Sequence, residues 1–149
     1  MLAIDETSLG KPRAGACAAA APDGQVYVVG GNGRRNTVVR LCDGIWQAAP
    51  PTELARVGAC AAVIDGVIHV AGGQGASPLA SVERLLEGAW DPVAPLISAR
   101  AGACAALHDG AMYVAGGEDE VNGVLGSVEL LRDGKWHPAP PLRVPRASA

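Results

Sequence analysis

The phrase RAGACAA at residues 13–19 returns as RVGACAA at 56–62 and as RAGACAA at 100–106. A chain that writes one phrase three times at a fixed step folds as a repeat, because every copy meets the same local problem. Three separate markers agree on the step. The phrase arginines Arg13, Arg56 and Arg100 lie 43 and 44 residues apart, the pairs Gly30–Gly31, Gly72–Gly73 and Gly116–Gly117 lie 42 and 44 apart, and Trp46, Trp90 and Trp136 lie 44 and 46 apart.

Each unit parses into four short strands. The first is the small-residue run, GACAA. A turn follows, written PDG at 22–24 and DG at 65–66 and 109–110. Asp-Gly between apolar runs is a hairpin signal, because glycine accepts positive φ. The second strand, closing on Gly-Gly, is QVYVVGG, VIHVAGG or AMYVAGG. A polar loop of variable length comes next (NGRRN, QGASPLA, EDEVNGVLG), then a third strand, TVVRL, SVERL or SVELL. DG at 43–44, EG at 87–88 and DG at 133–134 mark a second hairpin. The fourth strand begins at the tryptophan and ends in proline, which suits an outer edge where no neighbour needs its missing N–H. No stretch of helical period competes with this reading.

A four-stranded antiparallel unit of this period is a propeller blade. The order R-x-G, Gly-Gly after an apolar strand, then Trp before a proline-ended strand resembles the kelch repeat over residues 12–142. Leu41, Leu85 and Leu131 stand where kelch units usually carry a tyrosine. The resemblance implies an all-β, kelch-type β-propeller with three four-stranded blades, at 13–55, 56–99 and 100–142, between an N-terminal segment 1–12 and a tail 143–149. It places the first strand innermost, beside a central channel, and the tryptophan toward the outside, covering the face between blades. The composition fits. Of a 49% hydrophobic content, none is Phe, and there are only three Trp and two Tyr. Small side chains suit strands crowded at an axis.

Three blades do not close a ring, since propellers have about four to eight. An open arc exposes apolar faces larger than a monomer normally shows. The expectation is a homodimer completing a six-bladed ring, two-fold pairs being the commonest oligomers. The rival is a fragment of a longer kelch protein. Aligned on the arginine, AIDETSLGKP at 3–12 takes the register of the outer strand WQAAPPTELA at 46–55, and VPRASA at 144–149 resembles the opening of an inner strand. Both ends then either pair across a junction or are remnants of a tandem array.

In kelch proteins the loop after Gly-Gly and the arginine that opens the inner strand lie on one face around the channel mouth, and in several binding members they contact the ligand. By position the resemblance implies ligand-binding candidates Arg13, Arg56 and Arg100; Asn32, Arg34, Arg35 and Asn36; Gln74 and Ser77; and Glu118, Asp119, Glu120 and Asn122. A ring of guanidiniums suits an acidic ligand or peptide. The alternative for the arginines is pairing with an acid or carbonyl of the next blade. The loops vary while the framework does not, which is where binding usually sits.

Other classes find little support. A net charge of −3 without a basic face argues against nucleic acid. No window has the length of a membrane span, and the start lacks a secretory pattern, so a cytoplasmic location is expected. Cys17, Cys60 and Cys104 share one place in the repeat, with no CxxC and no histidine in register. They read as packing residues, with Cys42 incidental, and no metal or cofactor is expected. His69, in place of a strand-two tyrosine, reads as packing, and His108 and His137 hold unrelated places. The leading reading is a binding or scaffold module for a partner protein or acidic ligand. The alternatives are a small isomerase, epimerase or cyclase at the channel, or a half-propeller assembly unit without a ligand.

Overall fold

At five places an acidic residue and the glycine after it both take positive φ: Asp43–Gly44, Asp65–Gly66, Glu87–Gly88, Asp109–Gly110 and Asp133–Gly134. This is the two-residue turn whose twist matches paired strands, and it fixes the register of five hairpins. The computed structural model describes residues 9, 12–32 and 36–148. Its strands are β1 (Cys17–Ala20), β2 (Val26–Val29), β3 (Val38–Cys42), β4 (Ile45–Ala49), β5 (Cys60–Ile64), β6 (Val67–Ala71), β7 (Val82–Leu86), β8 (Ala89–Val93), β9 (Cys104–His108), β10 (Ala111–Ala115), β11 (Glu118–Asp119), β12 (Gly123–Val124), β13 (Val128–Arg132) and β14 (Lys135–Ala139).

They form three four-stranded antiparallel sheets, β1–β4, β5–β8 and β9-β10-β13-β14, each a meander in chain order. Two details differ from the sequence expectation. The fourth strands start one residue before the tryptophan, because Ile45, Ala89 and Lys135 already pair across the turn. The third loop folds into its own hairpin, β11–β12. The expected outer-strand segment at 3–12 lies almost wholly outside the described residues, as do Arg34 and Arg35.

The sheets stack with β1, β5 and β9 side by side. Tyr27, Val29 and Val38 of the first sheet pack against Ile68 and Val70 of the second. The second sheet's other face, through Cys60, Ala62, Ala71 and Val82, packs against Met112, Val114 and Leu131 of the third. Trp90 and Trp136 close these seams from outside. Their indole N–H groups donate to the Pro50 and Ala94 carbonyls at the end of the preceding sheet's outer strand, at 2.8 and 2.9 Å. Leu41, Leu85 and Leu131 sit directly opposite the three tryptophans, so the leucine in the tyrosine place fills the space beside the indole.

Among the described residues no further sheet packs on the outer face of the third. Cys60 is 5% exposed, whereas Cys104 at the same place in the repeat is exposed. No helix of the described chain is long and apolar enough to cross a membrane. Met112 is fully buried between the second and third sheets. Met112→Ala is expected to lower unfolding free energy by about 2–5 kcal/mol in urea titration, with a matching fall in the denaturation midpoint.

Candidate functional site

The repeated arginine has a structural task. Arg56 donates from Nη1 to the carbonyls of Gly72 and Ser81 at 2.7 and 2.8 Å, and from Nη2 to Ser81 Oγ at 2.9 Å. Nε and Nη2 reach Glu83 Oε2 at 3.1 and 2.8 Å. Arg100 repeats the pattern on Gly116 and Ser127 and reaches Glu129 through Nη2, while its Nε donates to the Ser98 carbonyl at 3.4 Å. Arg13 donates to Gly30 and Thr37. In each sheet the guanidinium thus joins the two residues at which the polar loop leaves and re-enters. The same pair is closed by a backbone bond from Gly30, Gly72 or Gly116 to Thr37, Ser81 or Ser127.

Glu83 and Glu129 extend this staple to the preceding connection. Glu83 accepts the Glu53 and Leu54 amides at 2.7 and 3.3 Å, and Glu129 accepts those of Ile97 and Ser98. Arg56 and Arg100 are each 1% exposed. The partner acid lies in the arginine's own sheet, not in the next one, which differs from the pairing alternative read in the sequence. Their guanidiniums are spent inside the framework and leave no ring of free charge for an acidic ligand. Sequence reasoning did not single out the two glutamates. The shared signal was SVE at 81–83 and 127–129. In the first sheet Val39 takes this register.

The first loop residues are set beside the inner strands. Asn32, Gln74 and Glu118 bond through their backbones to Ala14, Val57 and Ala101, the middle residues of the three R-x-G phrases. Asn32 adds its side chain, with Oδ1 accepting the Ala14 amide at 3.0 Å. Asn36, Ser77, Glu120 and Asn122 are exposed farther along the loops; the Asn36 carbonyl accepts the amide and hydroxyl of Thr52 from the connection after β4, and the Ser77 carbonyl accepts the Gly75 amide. Asp119 folds the third loop. Its carboxylate accepts the Asn122 and Val121 amides and the Asn122 side chain. The bonds from Asn122 hold this carboxyl below its usual range. Asn122-Gly123 was the sequence signal for this hairpin.

Between the inner strands runs an open groove of about 280 Å³, lined by Ala18–Ala20, Ala61–Val63 and Ala105–Leu107. None of these residues titrates. Beside it, Cys17, Cys60 and Cys104 rest their Sγ against the carbonyls of Val29, Ala71 and Ala115. Burial pushes the Cys17 thiol up to about 11 and the Cys60 thiol up to about 12. Among the described residues no cluster of His, Cys, Asp or Glu has the makings of a metal site. His69 is buried in β6, which lowers its pKa, and its Nδ1 lies 3.0 Å from the Val67 carbonyl. Exposed His108 pairs with Asp109.

A scan of protein families matches the Kelch motif to residues 55–97 and 99–143, more than half of the chain. The chain belongs to the kelch family. Among solved structures, the one titled "Structure of YjhT" superposes with a TM-score of 0.76 at 18% identity, over 89% of this chain and 47% of that one. The likeness shows the kelch propeller fold, and this kelch chain spans about half the length of that relative. No curated protein matches it.

Two outcomes follow from the kelch framework. Glu83→Ala strands a buried guanidinium and two amides, and is expected to cost about 3–5 kcal/mol by chemical denaturation, with Glu83→Gln intermediate. The thiol shifts have a definite sign. Above pH 9.0, the ordinary thiol value, the unfolded Cys17 and Cys60 ionise while the folded ones stay protonated. Each then lowers stability by about 1.4 kcal/mol per pH unit. Urea titrations at pH 8, 9 and 10 are expected to show a shallower decline for Cys60→Ala than for the native sequence.

Proposed function

We propose that this kelch chain is a binding scaffold that recognises a partner protein through the loops beginning at Asn32, Gln74 and Glu118, within a propeller completed by further kelch sheets. Each four-stranded sheet is then one blade. The observation that carries the reading is the common loop base. Three loops of different length and charge leave identical arginine-forked anchors at one end of the inner strands. A fixed base under a variable loop is what a recognition surface needs, since the ordering cost is met before the partner arrives.

The guanidiniums of Arg56 and Arg100 are turned inward, so an acidic ligand has less to hold than the repeat suggests. The third loop carries Glu118, Asp119 and Glu120, which favours a protein partner with a basic contact patch. The enzyme alternative put chemistry in the channel, and the alanine-rich groove offers no acid or base there. A two-fold homodimer is the symmetric way to add blades.

Thermal melting with basic peptides, acidic peptides and anionic sugars tests the reading. Basic peptides at about 100 times their Kd are expected to add about 2.7 kcal/mol of stability. That shift is lost in Glu118→Ala/Glu120→Ala/Asn122→Ala, while the unliganded melting temperature stays within about 2 °C. A shift from anionic sugars alone, blocked by Ala105→Leu in the groove, would instead favour the channel enzyme.

A further inference from the structure

The seam between the second and third sheets is open at the end that carries the acid-glycine turns, opposite the loops. A cavity of about 260 Å³ lies there. The second sheet lends Asp65, His69 and Arg84 to its wall, and the third lends Gly110, Leu131 and Asp133. The first seam is filled at the same level. Tyr27 holds the register of His69, and its side chain is packed into the core beside Ile68 and Val70. A Cβ on Gly66 would meet the Pro22 side chain at 3.4 Å, whereas one on Gly110 would meet nothing within 4 Å.

The polar groups of this cavity do not satisfy one another. Arg84 Nε is buried without a hydrogen-bond partner. Among the described residues its guanidinium makes no ion pair, although Asp91 stands directly opposite on β8. In the first sheet the equivalent Arg40 reaches Gln47 Oε1 at 3.4 Å. A buried donor left unpaired is costly, which makes Arg84 a place where an acceptor from outside gains most. His69 Nδ1 lies 3.0 Å from the Val67 carbonyl, and burial lowers its pKa. The neutral ring donates Nδ1–H to that carbonyl and keeps Nε2 as an acceptor. The Asp65 and Asp133 carboxylates, on exposed turns, make no hydrogen bond or ion pair among the described residues.

The walls therefore bring together a guanidinium, two carboxylates and a neutral imidazole. A simple anion would meet Arg84 and be repelled by both carboxylates, and a simple cation would meet the reverse. We propose that this cavity binds a small zwitterion, an amino acid whose carboxylate takes the Arg84 guanidinium and whose ammonium goes to Asp65, Asp133 and His69 Nε2. Guanidinium and carboxylate match as a two-pronged pair, which fixes the ligand's orientation. The site is remote from the loops and does not depend on the scaffold reading.

Titration of free glycine, β-alanine and γ-aminobutyrate into the full chain, followed by amide NMR, tests the proposal. The three hold their charges at increasing separation. At least one is expected to shift the Gly66, Gly110 and Gly134 amides while those of Asn32, Gln74 and Glu118 stay unmoved. It is expected to bind about tenfold more tightly than acetate or ethylamine, and to weaken about tenfold in Arg84→Gln and in Asp133→Asn. His69→Tyr puts the first seam's side chain into the second and is expected to block binding with both charges kept, so it carries the test if Arg84→Gln does not fold. No shift at the three turn amides with any of the amino acids, acetate binding as tightly, or binding unchanged in His69→Tyr overturns the proposal.

Discussion

A buried guanidinium is the constraint on which the rest of this structure depends. An arginine placed at 1% exposure needs nearly all its donors met, because an unpaired charge in such a place costs several kcal/mol. Arg56 meets the demand with two carbonyls, a hydroxyl and a carboxylate. Those acceptors come from the second strand's end, the third strand's start and the third strand itself. Satisfying one side chain therefore fixes where a loop begins and ends, and the glutamate that neutralises it fixes the connection from the previous sheet. Loop length is left free, so the chain can vary its loops without disturbing the sheets.

The glycines carry the same logic from one sheet to the next. Gly58 holds φ at 69°, and a Cβ there would stand 3.2 Å from the Gly102 amide that bonds to it. A Cβ on Gly72 would stand 2.5 Å from the Arg100 carbonyl. Both positions are places where neighbouring backbones nearly touch, which is why R-x-G and Gly-Gly recur together. The alanine-rich inner strands follow from the same crowding. Side chains larger than alanine would enter the groove the three strands share.

What could be read from the sequence was what local chemistry decides. The acid-glycine turns, the glycine pairs and the proline-ended edges announce themselves within a few residues, and they gave the four-stranded units and the kelch resemblance. The tryptophan's place on the outer seam came with the resemblance. The arginine's partner was harder, because Glu83 lies far along the chain and is fixed only once the sheet has paired. Its repetition as Glu129, with Val39 at the same place in the first sheet, was visible but has meaning only beside the register. The loop hairpin at 118–124 had Asn122-Gly123 as a signal, yet it sat in a stretch read as irregular. How the loops anchor to Ala14, Val57 and Ala101 depends on backbone bonds that composition cannot show.

If arginine and glutamate hold the connections to the sheets, the connections should be as closed as the strands. Native-state hydrogen exchange, read amide by amide, tests this most directly. The Glu53, Leu54, Ile97 and Ser98 amides are expected to exchange as slowly as that of Val70 in the core, although the side chains of Glu53, Leu54 and Ile97 are exposed. Exchange at these four amides as fast as at the exposed Gly88 turn would contradict the account, leaving the arginines as passengers in a fold held by apolar packing alone.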